Sequence, residues 1–414
     1  MLKKLTIDEF NEFQKHHIES NYYQTISYAM LMAEVDYDYD LLGLIDYEGN
    51  ILAGAMILIK QIGSNTYYGY SPRGFLIDYT NKELLYNFTE EIKEYYKDKS
   101  VAFIKVNPLL PIGKLNKNLE IDYNSNRNIL NDLTTLGYKK LRDNLYFEAQ
   151  LPRFNAIINL KEYKKDSLDK NTKNKIKKGI RKGLKIEKVD KSKIDIFYEF
   201  IKNKKDRNSY YYKDYYTVFE KSDNVDLFLI KIDYNEFLLN SQFIYNEELE
   251  KNTKLNEKLT TNHGNRLINH KMNSDKKLLS YKNDIMEATK GLQENKTTYV
   301  AGALVIKHNK TATIAISGYD TSLKRFAPNY FLHYSLIKYY KDNYDYLDLN
   351  GVVGDFKNEN PYSGLNRFKL SFNPSVYEYI GELDLVINEN IYNILLKTGT
   401  LAHELNKKPK EIKK

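Results

Sequence analysis

A strand that occurs twice constrains this chain more than any other feature. Leu52-Ala53-Gly54-Ala55-Met56-Ile57-Leu58-Ile59-Lys60 is echoed by Val300-Ala301-Gly302-Ala303-Leu304-Val305-Ile306-Lys307. The segments after the two copies also match. The first copy leads to a second apolar segment, a helix ending Ile92-Lys93-Glu94-Tyr95-Tyr96-Lys97-Asp98, and a strand from Val101 to Val106. The second leads to Ala312–Ser317, a helix ending Ile337-Lys338-Tyr339-Tyr340-Lys341-Asp342, and a short strand from Tyr346 to Leu349. Common residue types alone can produce one echo. The shared order of elements favours a duplicated β-β-α-β unit. The predicted fold class is therefore α/β (α+β), in two tandem domains.

The length of 414 residues gives each domain volume for its own core. We predict a first domain over 1–150, completed by 381–414, and a second over 151–380. The chain has no cysteine, which removes disulfides, thiolate metal sites and a Cys nucleophile. A net charge of +8 is too modest to mark a nucleic-acid binder by itself. Asn, Lys, Ile and Tyr are abundant, and compositional bias explains the 38 tyrosines as readily as function does. No apolar run is long enough to span a bilayer, and Met1–Phe13 does not read as a signal peptide. A cytoplasmic protein is expected, with peripheral contact at the inner face of the membrane left open.

Taken in order, residues 6–18 read as a helix capped by Thr6 or Asp8, and Tyr22–Ala33 as a second helix. Leu41–Tyr47 turns at Glu48-Gly49-Asn50 into the first copy of the strand. Ser71-Pro72-Arg73-Gly74 then breaks regular structure and leaves Arg73 and Asp78 near the mouth of the sheet. Phe147–Leu160 reads as strand–turn–strand. The most basic segment comes next, and Ile176, Ile180 and Leu184 on one helix face leave Lys173, Lys177 and Arg181 on a positive one. That face is either simply solvated or directed at phosphate. Residues 194–220 read as helical with a Tyr-rich middle, and Val225–Ile232 as a strand.

The partner of that strand arrives only after a polar insertion, 236–296. Leu278, Ile285 and Leu292 recur every seven residues, as do Met272, Leu279 and Met286. Two helices reversing near Asn262-His263-Gly264-Asn265 and packing as an antiparallel coiled-coil arm are expected. Beyond the second unit, Gly351 and Gly354 suit a loop needing positive φ or close backbone approach. Tyr377–Ile387 reads as a strand and 389–405 as a helix, and the Lys-rich end, 407–414, is expected to fray.

No Walker loop, dinucleotide glycine motif or His-Glu-x-x-His is present, so neither a cofactor nor a metal is expected. The repeated unit resembles the acyl-CoA N-acyltransferase (GNAT-like) fold, but neither copy has that fold's Gly-rich pyrophosphate loop. The donor implied is thus not acetyl-CoA. Ser71-Pro72-Arg73-Gly74 with Asp78, the Gly351–Asp355 loop, and Tyr362-x-Gly364-x-x-x-Phe368-Lys369-x-x-Phe372 resemble the Fem-type peptidyltransferases over nearly the whole chain.

The resemblance implies an enzyme that takes glycine, alanine or serine from aminoacyl-tRNA. The acceptor implied is the stem-peptide amine or growing bridge of a peptidoglycan precursor, either lipid II or the UDP-linked form. It implies Lys369 as a cation that stabilises the oxyanion, Asp78 as a group that orients or deprotonates the amine, and Arg73 as a phosphate partner. Tyr70, Arg207, Tyr211 and Phe368 would line the substrate site, and Lys173, Lys177 and Arg181 would meet tRNA. Ordinary roles for each of these residues stay open from sequence, as do a GNAT-fold enzyme with another donor and a non-catalytic tRNA or cell-wall scaffold. One departure stands out. Tyr23-Gln24-Thr25 matches the family, but Ala29–Ala33 lacks the Lys that relatives often carry there.

Overall fold

The computed structural model describes residues 1–401 except 142–144, 147, 149, 205, 206, 262 and 358. In chain order the strands are β1 (Leu2–Lys4), β2 (Asp38–Ile45), β3 (Ile51–Gly63), β4 (Thr66–Ser71), β5 (Val101–Val106), β6 (Pro111–Leu115), β7 (Ile121–Tyr123), β8 (Tyr138–Lys139), β9 (Phe154–Asn159), β10 (Leu184–Val189), β11 (Val225–Ile232), β12 (Tyr299–His308), β13 (Thr311–Tyr319), β14 (Tyr346–Val352), β15 (Ser375–Tyr379) and β16 (Leu383–Val386). The α-helices are α1 (Ile7–His16), α2 (Ile26–Ala33), α3 (Lys82–Tyr96), α4 (Ile129–Thr135), α5 (Lys170–Arg181), α6 (Ile194–Glu199), α7 (Ser209–Glu220), α8 (Tyr234–Leu259), α9 (Asn265–Gln293), α10 (Pro328–Tyr340), α11 (Ser363–Leu370) and α12 (Glu389–Lys397).

Two mixed sheets carry the fold. One runs β1-β2-β3-β4-β5-β16-β8, the other β10-β11-β12-β13-β14-β9-β15-β6-β7. The duplication is visible in the pairing. β2, β3 and β4 pair antiparallel in turn, and β4 pairs parallel with β5 across α3. β11, β12 and β13 do the same, and β13 pairs parallel with β14 across α10. A parallel pair needs such a crossover. The repeated sequences are β3 and β12, each central in its sheet and apolar on both faces because both faces are covered. Their shared glycine has a steric reason. A Cβ on Gly54 would lie 2.8 Å from the Phe13 ring of α1, and one on Gly302 would lie 2.8 Å from the Phe197 ring of α6. Each glycine admits the aromatic ring of the helix packed on its strand.

The sheets interlock through the chain's later course. β6 and β7, which fall within 1–150, extend the second sheet, and β16 from beyond 380 pairs with β5 of the first. The segment Tyr377–Ile387 is therefore not one strand. It breaks at Gly381, which has φ 88, and its halves join different sheets. A single core of side chains from both halves, including Tyr22, Tyr28, Phe197, Tyr215 and Phe219, fills the space between them.

Several other expectations shift. Thr6 caps α1 in a full capping box with Glu9. The second helix is a short 3-10 turn, Tyr22–Gln24, followed by α2. The 194–220 helix is two, α6 and α7, with Asn208 capping the second. The basic helix ends at Arg181. Its inward line is Thr172, Ile176 and Gly179, while Ile180 is exposed and Leu184 starts β10. The insertion forms the expected helical hairpin, α8 and α9, between β11 and β12. Asn252 meets Ser274 and Glu248 meets Lys277, so the helices run antiparallel. Leu278 and Ile285 lie on the half-buried line, but Met272, Leu279 and Met286 are more than half exposed. The second heptad therefore faces solvent. The helix predicted over 389–405 is shorter, ending at Lys397 as α12, and 402–405 lie outside the described residues. The expected fraying of 407–414, the strand residue Phe147 and the reversal at Asn262 lie outside the described residues.

Candidate active site

The Ser-Pro-Arg-Gly turn is fixed from below by Gln24. Its amide nitrogen donates to the Pro72 carbonyl at 2.8 Å, and its amide oxygen accepts from Met56 N of β3 at 2.9 Å. A Cβ on Gly74 would lie 2.3 Å from Ser71 Oγ and 2.8 Å from Gln24 Nε2. Only glycine fits there. The turn holds Arg73 at φ 53, with 3% of its surface exposed. Arg73 Nη2 donates to the Pro152 carbonyl at 2.7 Å, and the guanidinium lies over the Tyr379 ring. Asn107 accepts from Arg73 N at 2.7 Å and donates to the Tyr70 hydroxyl at 3.2 Å. Arg73 and Tyr70 therefore share one anchor.

Lys369 arrives from the other sheet. Phe368 packs edge-on against Tyr330 and His333 of α10, with Phe372 beside it. These rings pin α11, and the next residue, Lys369, turns toward β14. Its Nζ donates to the Gly351 carbonyl at 2.6 Å. Burial pushes the ammonium down to about 7, against the pull of Asp348, and Lys204 lowers it further. Asp348 is half-buried on the same strand, accepting from Asn155 Nδ2 at 3.0 Å and from Asn350 N at 2.6 Å. Burial raises its carboxyl, and the charges of Lys369 and Arg73 draw it back. The β14–β9 register slips between Asp348 and Gly351. The positive φ expected of a glycine falls on Asn350, at 67°.

Asn350 also reaches the wall of a cavity of about 550 Å³ between the two halves. Tyr22, Tyr23, Tyr28, Tyr70, Pro152, Arg207, Tyr211 and Tyr215 line it. A second cavity of about 500 Å³, with Glu34, Lys202, Tyr210 and Asp214, shares Arg207 and Tyr211 with it. The Arg207 guanidinium lies over the Tyr211 ring at 4.9 Å, so this pair forms the common wall. The first cavity, aromatic and with Arg207 as its one charged lining residue, has the usual form of a small-molecule or peptide site.

Three sets of candidates fall elsewhere. Asp78 is exposed. Thr80 donates to it from Oγ1 at 2.6 Å and from N at 2.8 Å, which holds its carboxyl below the usual range. It does not line the cavity. Phe368 positions α11 rather than facing the cavity. Lys173 donates to the Asp166 carbonyl, Lys177 is exposed, and Arg181 lines a separate pocket with Lys178, Lys182 and Arg325 at the base of the helical hairpin.

Residues 5–397 match the FemAB family. The chain belongs to this family. Among curated proteins it is similar to aminoacyltransferase FemA of Staphylococcus epidermidis, 27% identical over 406 residues, with 94% of this chain and 97% of that protein covered. It is 26% identical over 405 residues to aminoacyltransferase FemA of Staphylococcus aureus, with 94% and 96% covered. Among solved structures, FemX superposes with a TM-score of 0.74 at 21% identity, covering 95% of this chain and 99% of that one, which identifies the same fold. The α/β architecture predicted from the doubled strand is thus the fold of this FemAB chain.

Sequence reasoning missed Asp348, Asn155 and Lys204, and of the cavity's tyrosines it named only Tyr70 and Tyr211. For Asp348 a signal existed. Leu347 and Leu349 point one way into the core, so Asp348 and Asn350 face the other side of β14 together. For Lys204 there was none, because its Nζ meets Ser317 O of β13, remote in sequence, at 2.6 Å.

Proposed function

We propose that this protein transfers glycine, alanine or serine from aminoacyl-tRNA to the stem-peptide amine, or the growing bridge, of a peptidoglycan precursor such as lipid II. The observation that carries this reading is a buried lysine, Lys369, held on the Gly351 carbonyl next in chain to Asn350, which lines the aromatic cavity, in a FemAB-family chain. The aminoacyltransferase class rests on the FemA relatives.

The chemistry needs no covalent intermediate on the protein. The ester is already activated. The neutral acceptor amine attacks its carbonyl, a C–N bond forms, and charge develops on the carbonyl oxygen. The C–O bond to the ribose then breaks. The proton lost by the amine balances the one gained by the leaving ribose oxygen. The protein's tasks are alignment and stabilisation of the oxyanion. Lys369, still cationic below about 7, is the group we assign to the oxyanion. Its low-dielectric surroundings make that charge count for more than a surface lysine would.

The tyrosine cavity receives the acceptor peptide in this reading. Arg207, at the wall shared by the two cavities, is the cation we assign to precursor anions, and Tyr70 and Tyr211 shape the channel. Arg73 is engaged by Pro152 and Tyr379, so we assign it to holding the wall and not to a phosphate. Asp78 has no part in the reaction. The Lys173–Arg181 face is the part of α5 we assign to tRNA. The test is incubation of the protein with lipid II and a charged tRNA pool, with and without ribonuclease. Transfer that stops when RNA is destroyed supports the reading. Transfer that survives refutes the tRNA donor.

A further inference from the structure

Two residues of α11 are buried, Lys369 and, one turn earlier on the same face, Asn366. The Fem-like run Gly364-x-x-x-Phe368-Lys369 leaves that earlier position open. Asparagine is a poor helix former, because its amide competes for backbone groups, so one in the middle of a short helix calls for a tertiary reason. The structure supplies it. Asn366 is 4% exposed. Its Nδ2 donates to the Val353 carbonyl at 2.8 Å, and its Oδ1 accepts from Val353 N at 3.1 Å. The same Nδ2 lies 3.5 Å from the Asp355 carbonyl. One side-chain amide thus meets both backbone groups of Val353, as a neighbouring strand would.

Val353 is the first residue past β14, and β13 pairs with β14 from Tyr346 to Asp348. Beyond that pairing, side chains hold the strand. Asn350 Nδ2 reaches the Ile314 and Ala315 carbonyls of β13 at 3.3 and 3.4 Å, and Asn350 Oδ1 accepts from Gly351 N at 2.7 Å. Lys369 Nζ holds the Gly351 carbonyl, and Asn366 holds Val353 two residues on. Helix α11 therefore grips the strand end at two points. The first grip is the ammonium itself, which must leave the Gly351 carbonyl to meet a substrate oxygen. The second stays in place when it does. The rings of Phe368 and Phe372 fasten α11 to α10, and Asn366 fastens it to the strand.

We propose that Asn366 is the positioning residue of Lys369: its paired hydrogen bonds to Val353 lock α11 onto the end of β14 and set the Lys369 ammonium at the Gly351 carbonyl. Its bearing on catalysis rests on the transfer reading, but the placement of the ammonium can be measured without any transfer.

Asn366→Leu removes both bonds with an apolar side chain of similar size. Without the lock the Lys369 ammonium gains access to water, and the burial that holds it down is relieved. NMR of the full chain carrying ε-13C lysine follows that group, with its signal assigned by loss in Lys369→Arg. The Lys369 midpoint should rise by at least about one pH unit in Asn366→Leu. The kcat of transfer should fall at least about tenfold, with the KM for lipid II within about twofold of wild type. In the Lys369→Met background the same substitution should cost nothing further, because Asn366 acts through Lys369. A merely structural residue would cost as much in either background. If Asn366→Leu does not fold, Asn366→Ser, whose short hydroxyl cannot meet both groups of Val353, takes its place with the same expected results.

An unchanged Lys369 midpoint in the folded variant overturns the proposal. So does a loss of kcat that is as large in the Lys369→Met background as in the wild type. If wild type transfers nothing to lipid II, the transfer reading fails while the midpoint still decides the placement. If the midpoint rises and kcat does not fall, the placement stands and the role of Lys369 in transfer fails.

Discussion

Lys369 Nζ donates to the carbonyl oxygen of Gly351 at 2.6 Å, joining helix α11 to the strand that also bears Asp348. Two words of the sequence, the Phe-Lys-x-x-Phe run and the Gly351–Asp355 loop, thereby become one site. The first is anchored by aromatic packing on α10. The second is shaped by the register slip at Asn350. Neither anchor is chemistry in itself. Together they hold the Lys369 ammonium on the Gly351 carbonyl, the position from which we propose it meets the ester oxygen.

Lys369→Met should abolish that stabilisation while keeping the aliphatic part of the side chain. Loss of a preorganised charge at a developing oxyanion costs about 100- to 1,000-fold in kcat. Single-turnover transfer is the measurement, with circular dichroism to show the fold is kept.

The pH profile of transfer should be bell-shaped. The attacking amine must be neutral, so the rate rises with pH at first. Lys369 must be charged, and its folded value is depressed to about 7, so the cation is present below that pH and is lost as pH rises through it. An alkaline limb near 7 is expected. A limb above 9 would mean that Lys369 is not the group that titrates.

Asp78→Asn should leave transfer within about threefold of wild type. The carboxylate is exposed and occupied by Thr80. Substitutions at exposed positions of this kind change stability by about 0.5 kcal/mol or less. A large loss of turnover with the fold intact would return Asp78 to the reacting centre.

Gln24→Ala should destabilise the protein by about 2–4 kcal/mol in urea, because it leaves Met56 N and the Pro72 carbonyl without this partner and opens a void. The loss should also reach transfer, since the same amide fixes the turn that carries Arg73.

Lys105→Met tests how the chain's last part completes the first sheet. Lys105 on β5 pairs with Asp384 on β16 at 2.7 Å, and Tyr392 of α12 donates to the same carboxylate at 2.9 Å. Both partners of the pair are buried. Removing one charge strands the other and should cost about 3–5 kcal/mol, measured by urea unfolding. Lys105→Met with Asp384→Leu should recover much of that loss.

The parts of this molecule that could be read from sequence are those carried by local periodicity. The doubled strand, its β-β-α-β order and the helical hairpin are of that kind, since β3 and β12 are continuous apolar runs and the hairpin has no proline to break it. The parts that could not be read depend on which surfaces meet. Tyr377–Ile387 looks like one strand because nothing local says that Gly381 redirects it into another sheet. Met272, Leu279 and Met286 keep a perfect spacing yet face solvent, because the partner helix lies on the other line. Arg73, Tyr70, Arg207, Tyr211 and Lys369 are legible as residue types near turns or helix ends. The setting of Asp348 is not, because it depends on Asn155 from another strand and on a register slip, remote or irregular in sequence. Abundance hides the tyrosines, although a subset of them lines the cavity.

The most direct test of the central claim is the mass of lipid II after incubation with the protein and a total aminoacyl-tRNA pool. Wild type should add the mass of a glycine, alanine or serine residue to the stem-peptide amine or an existing bridge, and Lys369→Met should leave lipid II unchanged in the same time. Unchanged lipid II with the wild-type protein, or equal addition by Lys369→Met, would contradict the account.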